Sequence, residues 1–284
     1  MNELVIYLVT GLALGSSFAL IGSGFVVVHR VTRVVNFAQG SLAVLGGMLS
    51  ASLLDGLLPH GLGEAVAVLG CGILGLLVGL VAVGRRGTPP LNSLIVTLGV
   101  SMLASAAIIL LWGQDPVSPP GLGGTMTILG ATVERQRLLV FVATLVVFAA
   151  LTVFFSRSYV GKALTASASN PRAARLVGID VRRMGLLAFG LAGVLGGLAG
   201  VLVAPTNALS FYSDLPLALS GFAAAVFGGL TSPLRTLVGG LGLGVAGQLT
   251  AGYLDGSYQT EMALLLMLLI MVVRSKTLVH EEAK

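Results

Sequence analysis

The stretch that decides the fold is Leu4–Val28, LVIYLVTGLALGSSFALIGSGFVVV, which runs for 25 residues without a charged side chain. An α-helix needs about 20 predominantly apolar residues to cross the hydrocarbon core of a bilayer. The run is too long for the apolar core of a signal peptide, and Met1-Asn2-Glu3 before it carries no positive charge. We therefore expect this stretch to be retained as a membrane-spanning helix.

The composition of the whole chain extends this interpretation. Of its 284 residues, 56% are hydrophobic and only 10% are charged, whereas a soluble domain is about 25% charged. So few charges cannot cover the surface of a soluble protein of this size, and so much hydrophobicity excludes a disordered chain. The net charge of +5 is then explained by basic loops on the cytoplasmic side of a membrane rather than by binding to nucleic acid.

Apolar runs of span length recur along the chain. They predict an all-α fold, a single polytopic transmembrane helical bundle over residues 1–284 with eight or nine spans. The seventh and eighth runs are short for full crossings, so we expect tilted or partly re-entrant helices there. The predicted spans are Leu4–Val28, Val34–Leu54, Ala65–Gly84, Leu91–Trp112, Leu138–Phe155, Gly185–Ala204, Leu215–Leu230, Thr236–Ala251 and Thr260–Val273.

The distribution of basic residues predicts which side of the membrane each loop faces. With the N-terminus outside, 14 of the 16 Lys and Arg residues fall in inside segments, and only Arg135 and Arg137 fall outside. Lysine and arginine concentrate in cytoplasmic loops, so this orientation is favoured and places the C-terminus in the cytoplasm. We therefore expect a multi-pass protein of the bacterial cytoplasmic membrane.

The charged side chains also limit the kind of transport that the chain can perform. The predicted spans leave every ionisable group in a loop or at a span end, whereas proton-coupled carriers keep such a group inside the membrane. The chain has no G-x-x-x-x-G-K-[ST] motif for nucleotide phosphates, since Ser156 stands where the first glycine should precede Gly161-Lys162. This favours a pore driven by a separate protein, with a self-contained secondary carrier or channel as the alternative.

The longest predicted inside segment, residues 156–184, contains a short capped helix. Asn170 is a favourable N-cap, Pro171 suits the first helical position, and Gly178 is placed to end the helix in a left-handed conformation. A two-turn helix over about 171–177 is not stable alone and needs a partner surface. The residues leave two interpretations open, a connector within this chain or a docking element for another protein.

Three stretches carry motifs, namely Val35–Leu42 (VNFAQGSL), Gly161–Val181 with its core NPRAARLVGIDV, and Phe227–Gly240 (FGGLTSPLRTLVGG). They resemble motifs of the permease family of bacterial ABC importers for branched-chain amino acids, which is related to the ribose-type permeases. The resemblance covers nearly the whole chain, in order and with similar spacing.

The resemblance implies one membrane subunit of an ATP-driven importer, with no enzymatic activity and no cofactor of its own. The implied partners are a homologous second permease in a heterodimer, two cytoplasmic ATPase subunits that bind ATP and Mg, and an extracytoplasmic substrate-binding protein. The matching positions place the ATPase-coupling helix at Asn170, Pro171, Arg172, Ala173, Ala174, Arg175, Leu176, Val177 and Gly178.

Two places depart from the motifs of the family. Ser41 stands where many members carry Glu, and Leu230–Arg235 is less rich in glycine than the usual segment. Related permeases carry urea, short amides or other small polar solutes. The resemblance therefore leaves these substrates open beside branched-chain amino acids.

Polar side chains inside the predicted spans are candidates for the substrate pathway. Four of them recur every fourth residue on one face of the fourth span, where they either line a wet path or bond to neighbouring helices. Two amides at the start of the second span indicate a broken helix that exposes backbone dipoles, with a plain helix cap as the alternative. The candidates are Asn36, Gln39, Ser93, Thr97, Ser101, Ser105 and Gln248.

The sequence predicts no catalytic and no metal-binding residues, because no Ser/His/Asp set, acid pair or cluster of metal ligands stands out. The single cysteine, Cys71, cannot form a disulfide within the chain. Glycines four residues apart, as in Gly11-x-x-x-Gly15 and Gly193-x-x-x-Gly197, predict helices that approach one another closely.

Overall fold

The computed structural model describes residues 2–56, 58–83, 90–128, 130–254, 256–258, 261–262, 264–269 and 272, and residues 264–269 of the predicted ninth span are helical. The basic segments at 85–89 and 274–284, which were predicted to lie inside, fall outside the described residues. The α-helices are α1 (Asn2–Thr32), α2 (Gln39–Leu54), α3 (Leu62–Val83), α4 (Pro90–Trp112), α5 (Arg135–Arg157), α6 (Tyr159–Ser169), α7 (Pro171–Leu176), α8 (Val181–Val203), α9 (Asp214–Phe227) and α10 (Pro233–Tyr253).

Five of these helices are long and apolar enough to cross a membrane, by length and composition: α1, α3, α4, α5 and α8. The predicted polytopic helical class is therefore confirmed. Helix α10 has 21 residues, which is about 32 Å of helix, so the expectation of a short eighth span was wrong. The helices α2 and α9 are apolar but shorter.

The core of the bundle lies where α1 and α8 pack against their neighbours through glycines. Helix α1 packs on α10, and a Cβ added at Gly15 would come within 2.8 Å of the Leu241 backbone. Helix α8 packs on α3, and a Cβ added at Gly193 would overlap the backbone oxygen of Cys71. Real Cβ atoms do not approach a backbone this closely, so the predicted packing role of these glycines is confirmed.

The two halves of the bundle repeat one arrangement with opposite chain direction. In this repeat α1 corresponds to α8, α2 to α9 and α3 to α10. The contacts of α1 with α10, of α2 with α8 and of α2 with α3 correspond to those of α8 with α3, of α9 with α1 and of α9 with α10. Helices α1 and α8 are antiparallel, because Thr32 at the end of α1 contacts Gly185 near the start of α8. Gly40 of α2 lies against Ala218 of α9, so the two short helices meet between the halves.

Two spans contain a non-helical segment that leads into a short helix. Residues 33–38 separate α1 from α2, and residues 204–213 separate α8 from α9, ending in a single 3-10 turn. Both segments are fixed to the bundle. Phe37 N donates a hydrogen bond to α4 at 3.2 Å, and Leu209 exchanges two backbone hydrogen bonds with Val117. Non-helical backbone is tolerated at membrane depth only where protein or water surrounds it.

The second and seventh predicted spans are therefore broken. Starting the second helix at Val34 was wrong, because α2 begins at Gln39, but the broken start that Asn36 and Gly40 indicate is confirmed. The expected shortness of the seventh span is also confirmed, whereas its re-entrant course stays a prediction. Helix α9 has 14 residues, about 21 Å of helix, which is less than the ~30 Å thickness of a bilayer core.

A two-stranded β-hairpin between α4 and α5 is added to the helical fold. Strand β1 (Thr125–Ile128) pairs antiparallel with β2 (Ala131–Glu134). In β2 the buried side chains of Ala131 and Val133 alternate with exposed ones, as in a half-buried strand. The hairpin lies in a loop predicted to be outside and leaves the helical bundle unchanged.

Candidate functional site

Two buried amide side chains hold the segment that precedes α2. Asn36 Oδ1 accepts a hydrogen bond from Ala38 N at 3.3 Å, and Asn36 Nδ2 donates to Gln39 Oε1 at 3.5 Å. Gln39 Nε2 donates to the carbonyl oxygen of Ala192, halfway along α8, at 2.8 Å. The segment therefore carries the chain from the end of α1 to the middle of the bundle.

Glycines on two helices make room for the Gln39 amide. A Cβ added at Gly24 of α1 would overlap this amide, and one at Gly196 of α8 would lie 3.0 Å from its Nε2. The side chain is fully buried and bonds α2 to α8. The structure thus places both Asn36 and Gln39 in contacts within the protein, rather than on an open surface.

The polar stripe on α4 bonds to its neighbours at each position. Ser93 Oγ donates to the carbonyl oxygen of Ala82 on α3 at 2.7 Å. Thr97 Oγ1 accepts the hydrogen bond from Phe37 N and so fixes the segment before α2. The other two serines reach the start of α9. The predicted bonds to neighbouring elements are therefore present, and a wet path along the partly exposed Ser101 and Ser105 stays a prediction.

The carboxylate of Asp214 is surrounded by three serine hydroxyls from two other helices. Its Oδ2 accepts hydrogen bonds from Ser105 Oγ at 2.8 Å, Ser41 Oγ at 3.1 Å and Ser101 Oγ at 3.4 Å. Its Oδ1 accepts from Leu215 N at 2.7 Å, which suits an acid in the first turn of a helix. Hydrogen bonds to an ionised group are stronger than neutral ones, so Asp214 ties α9 to α2 and α4.

Asp214 corrects the predicted distribution of charge. It was assigned to a loop, but its partners Ser101 and Ser105 are the twelfth and sixteenth of the 23 residues of α4, so its carboxylate lies within the length of that span. The prediction that every ionisable group lies in a loop or at a span end was therefore wrong. The charge distribution no longer disfavours a proton-coupled carrier, and the choice between the two transport classes has to rest on family membership.

A cavity of about 190 Å³ lies at the end of the bundle that is predicted to be outside. Arg137 of α5 lines it, with Nε 3.0 Å from Glu134 Oε2 and with Nη1 donating to Thr10 Oγ1 of α1. Gln248, a predicted pathway residue, lines the same cavity from α10. The full lining is Thr10, Ala13, Leu14, Arg137, Val140, Val203, Thr206, Asn207 and Gln248.

A second cavity of about 210 Å³ adjoins the first, since Leu14, Val203 and Asn207 line both. Its other walls include Phe18 of α1 and Ser220 in the middle of α9. The two cavities together extend from the outer end of the bundle toward the broken seventh span.

The predicted capped helix of the cytoplasmic loop is confirmed as α7. Asn170 Oδ1 accepts hydrogen bonds from Arg172 N at 3.1 Å and from Ala173 N at 3.0 Å. Gly178 follows with φ of +85°, in the left-handed region that favours glycine. Asp180 then caps α8 through its side chain. The local sequence therefore forms the helix boundaries that it predicts.

The surface of α7 is both apolar and basic. Leu176 and Val177 are 89% and 75% exposed, and Arg172 and Arg175 are exposed beside them. Ala174 lies apart from these exposed side chains, because it is 3% exposed and faces its own chain. It lies two residues from Arg172 and from Leu176, which puts it on the opposite side of a helix with 3.6 residues per turn.

Sequence reasoning missed α6, Asp214 and Arg137. The signal for α6 is Ser158, whose Oγ accepts a hydrogen bond from Gly161 N at 2.9 Å as an N-cap. The signal for Asp214 is an acid in the first turn of an apolar helix. The signal for Arg137 is a basic residue on the side of the membrane that basic residues avoid.

Broken spans that meet at mid-depth, two halves of inverted direction and a capped helix in a cytoplasmic loop define a class, the multi-pass membrane permeases. Comparison with known proteins gives the family within this class. The chain belongs to the family described as branched-chain amino acid transport system / permease component, whose family model matches residues 7–274.

Several curated relatives are similar along most of their length. The high-affinity branched-chain amino acid transport system permease protein LivH of Escherichia coli is 28% identical over 280 residues, which cover 93% of this chain and 91% of LivH. The corresponding protein BraD of Pseudomonas aeruginosa is 29% identical, over 94% and 92% of the two chains. The L-arabinose ABC transporter permease protein AraH of Azospirillum brasilense is 29% identical, over 88% and 71%.

Among solved structures, PsaBC from Streptococcus pneumoniae in complex with Fab is similar in fold. The match has a TM-score of 0.51 and covers 95% of this chain and 91% of that chain. The sequence identity is 15%, so the similarity concerns the fold alone.

Proposed function

We propose that this chain is the membrane-spanning permease subunit of an ATP-binding-cassette importer and forms half of a pathway for branched-chain or similar amino acids. The observation that carries the proposal is the meeting of two broken spans, with Gly40 against Ala218, in a chain of this family. Helix N-termini expose unpaired N–H groups at the positive end of the helix dipole, which attract a substrate carboxylate. The names of LivH and BraD support the substrate class.

The predicted pathway residues divide into two groups in this proposal. One group is fully buried: Asn36, Gln39 and Thr97 hold the broken second span in place, and Ser93 bonds α4 to α3. The other group is partly exposed and lines the path: Ser101, Ser105 and Gln248.

The proposed docking surface for the ATPase subunits is α7, with its flanking residues Asn170 and Gly178. Leu176 and Val177 supply exposed apolar contact area, and Arg172 and Arg175 supply positive charge around it. A helix of six residues is not stable alone, so a partner surface suits it.

The connection between α7 and α8 supports transmission of a movement into the membrane. Gly178 N donates to the carbonyl oxygen of Arg175 at 3.1 Å, which closes the turn between the two helices. Farther along α8, the Ala192 carbonyl oxygen holds Gln39 of α2. In this mechanism, closure of the ATPase subunits on nucleotide shifts α7 and, through α8, the junction of α2 and α9.

The complete importer in this proposal contains a homologous second permease, two cytoplasmic ATPase subunits that bind ATP and Mg, and an extracytoplasmic substrate-binding protein. ATP hydrolysis takes place in the ATPase subunits, and this chain contributes no cofactor. A self-contained secondary carrier is the alternative that needs a direct test, because Asp214 places a carboxylate within the length of the α4 span.

The test is a coupling assay on the complete importer in proteoliposomes. The double variant Leu176→Asp with Arg175→Glu removes the apolar contact and reverses one charge on α7. Loss of a central interface contact costs about 2 kcal/mol or more, so we expect substrate-stimulated ATP hydrolysis and L-leucine uptake to fall at least ~30-fold.

The matched control is Arg182→Glu, which reverses an exposed charge in the same loop but on α8. It should keep coupling close to that of the wild type. Normal coupling in the α7 double variant would contradict the docking role of α7. Uptake of L-leucine by the purified chain without ATPase subunits would contradict the importer itself and support a secondary carrier.

A further inference from the structure

The outer cavity contains a cation whose hydrogen-bonding groups are not all used. Arg137 employs Nε toward Glu134 and Nη1 toward Thr10, and its Nη2 has no hydrogen-bond partner among the described residues. Both Gln248 and Asn207 line the cavity, and neither the amide of Gln248 nor Oδ1 of Asn207 has a hydrogen-bond partner among the residues that the structure describes. A few polar groups that converge on a cavity are the usual composition of a small-molecule site.

The rest of the cavity suits a small aliphatic solute. Ala13, Leu14, Val140 and Val203 form apolar walls around the polar groups. The volume of about 190 Å³ accommodates on the order of ten water molecules, which is enough for a solute the size of an amino acid.

We propose that this cavity is an outer binding site that recognises the carboxylate of a small aliphatic amino acid through Arg137. The planar guanidinium matches a carboxylate in shape and charge. The oxygen acceptors of Asn207 and Gln248 receive the ammonium group, and the apolar walls contact the side chain. The carboxylate chemistry follows from the cavity alone, whereas the identity of the solute as a transported amino acid rests on the proposed function.

The two arginines at this end of the bundle differ in a way that supports the proposal. Arg135 is exposed and lies over Gly124, outside the cavity. The side chain of Arg137 is 25% exposed and faces the cavity lining. The hydrogen bond from Nη1 to Thr10 is enough to link α5 to α1, so a structural role of Arg137 does not require Nη2. The second cavity, which adjoins the first, extends the space available to a bound solute toward α9.

The experiment measures binding to the purified full chain in phosphatidylcholine nanodiscs by saturation-transfer NMR titration. The probe is isovalerate, which has a branched aliphatic chain and a carboxylate but no ammonium group. We expect Arg137→Gln to weaken isovalerate binding about 10- to 100-fold, since a charge-assisted hydrogen bond is lost. Arg135→Gln removes the same charge two residues away and should leave the affinity unchanged.

Two outcomes of this titration would overturn the site. One is equal isovalerate affinity in the wild type and in Arg137→Gln. The other is loss of isovalerate binding when phosphatidylglycerol replaces phosphatidylcholine, which would assign the cavity to an anionic lipid headgroup. Isoamylamine, which carries an ammonium group instead of the carboxylate, should compete at least ~10-fold more weakly than isovalerate, and equal competition would also contradict the proposal.

A second variant keeps the test independent of the role of Arg137 in folding. Gln248→Met removes an ammonium partner and should lower the preference of the cavity for L-leucine over isovalerate. An unchanged preference would overturn the assignment of the ammonium group. L-leucine uptake by the complete wild-type importer separates the two proposals, because a failure of uptake with intact isovalerate binding contradicts the proposed function and not the site.

Discussion

The carboxylate oxygen Oδ2 of Asp214 lies 3.1 Å from the hydroxyl oxygen of Ser41. Ser41 lies on α2, whereas the carboxylate beside it comes from the first turn of α9. The serines at 101 and 105 on α4 bond to the same oxygen. One carboxylate therefore lies at the junction of α2, α4 and α9. Whether the junction also accepts this carboxylate on α2 instead of α9 can be tested.

Moving the acid between the two helices gives the first prediction. Ser41→Glu adds a second carboxylate beside Asp214, and two like charges about 4 Å apart repel by about 4 kcal/mol at the effective dielectric of a protein. We expect this variant to unfold at a lower temperature in detergent and to transport poorly. Adding Asp214→Asn leaves one carboxylate and should restore a large part of both properties.

The double-mutant cycle decides this prediction, because it isolates the interaction between the two positions. We expect a coupling free energy of at least ~1 kcal/mol in favour of the double variant. A double variant that is no more stable than Ser41→Glu alone would show that the junction does not depend on a single charge.

The second prediction concerns the buried amide of Gln39. Gln39→Glu replaces the Nε2 donor with an oxygen that faces the Ala192 carbonyl oxygen, inside a space enclosed by glycines. An unsatisfied buried charge is strongly destabilising, so we expect the free energy of unfolding to fall by about 3 kcal/mol or more. The measurement is the thermal unfolding midpoint of the purified chain.

The same substitution at Gln248 is the matched control. Gln248 is partly exposed and lines a cavity that also contains Arg137, so a carboxylate there stays solvated and near a positive charge. Gln248→Glu should change the unfolding free energy by less than ~1 kcal/mol. Similar losses at both positions would mean that burial at Gln39 is not the cause.

The sequence predicted the features that depend on local chemistry. Asn170 marks the start of α7 and Gly178 follows its end, because a side-chain cap and a left-handed residue act on their immediate neighbours. Hydrophobic runs predicted the long spans for the same reason, since about 20 apolar residues suffice whatever surrounds them.

Contacts between distant parts of the chain could not be predicted in this way. The sequence places Asp214 in a loop between two predicted spans. The fold brings it into contact with Ser101 and Ser105, which are more than 100 residues away in sequence. Ala174, a member of the coupling helix that the resemblance implies, is buried because α7 packs its inner face on its own chain. In both cases the tertiary arrangement, rather than local propensity, decides what the side chain contacts.

The third prediction uses two glycines of α10 that differ only in their surroundings. A Cβ added at Gly240 would lie 2.7 to 2.8 Å from atoms of Ala19 on α1, whereas one at Gly242 would meet nothing within 4 Å. Gly240→Ala should therefore force α1 and α10 apart and cost about 1–3 kcal/mol. Gly242→Ala should be neutral or stabilise the helix by up to ~1 kcal/mol.

Thermal unfolding of both variants in the same detergent gives the comparison. The two substitutions change the intrinsic helix propensity equally, so the difference between them reports the contact between helices alone. If Gly240→Ala is as stable as Gly242→Ala, the close approach of α1 and α10 is not needed for the fold.

The fourth prediction concerns the cap of α7. Asn170→Ala removes the acceptor for Arg172 N and Ala173 N and should destabilise the helix by about 1 kcal/mol. Since a helix of six residues has few other bonds to hold it, we expect hydrogen exchange at these two amides to rise about fivefold and ATPase coupling to fall with it. Asn170→Asp, which keeps the acceptor, should restore both, whereas Ser169→Ala next to it should change neither. Normal coupling despite faster exchange would show that the ATPase subunits recognise the exposed side chains of α7 without a preformed helix.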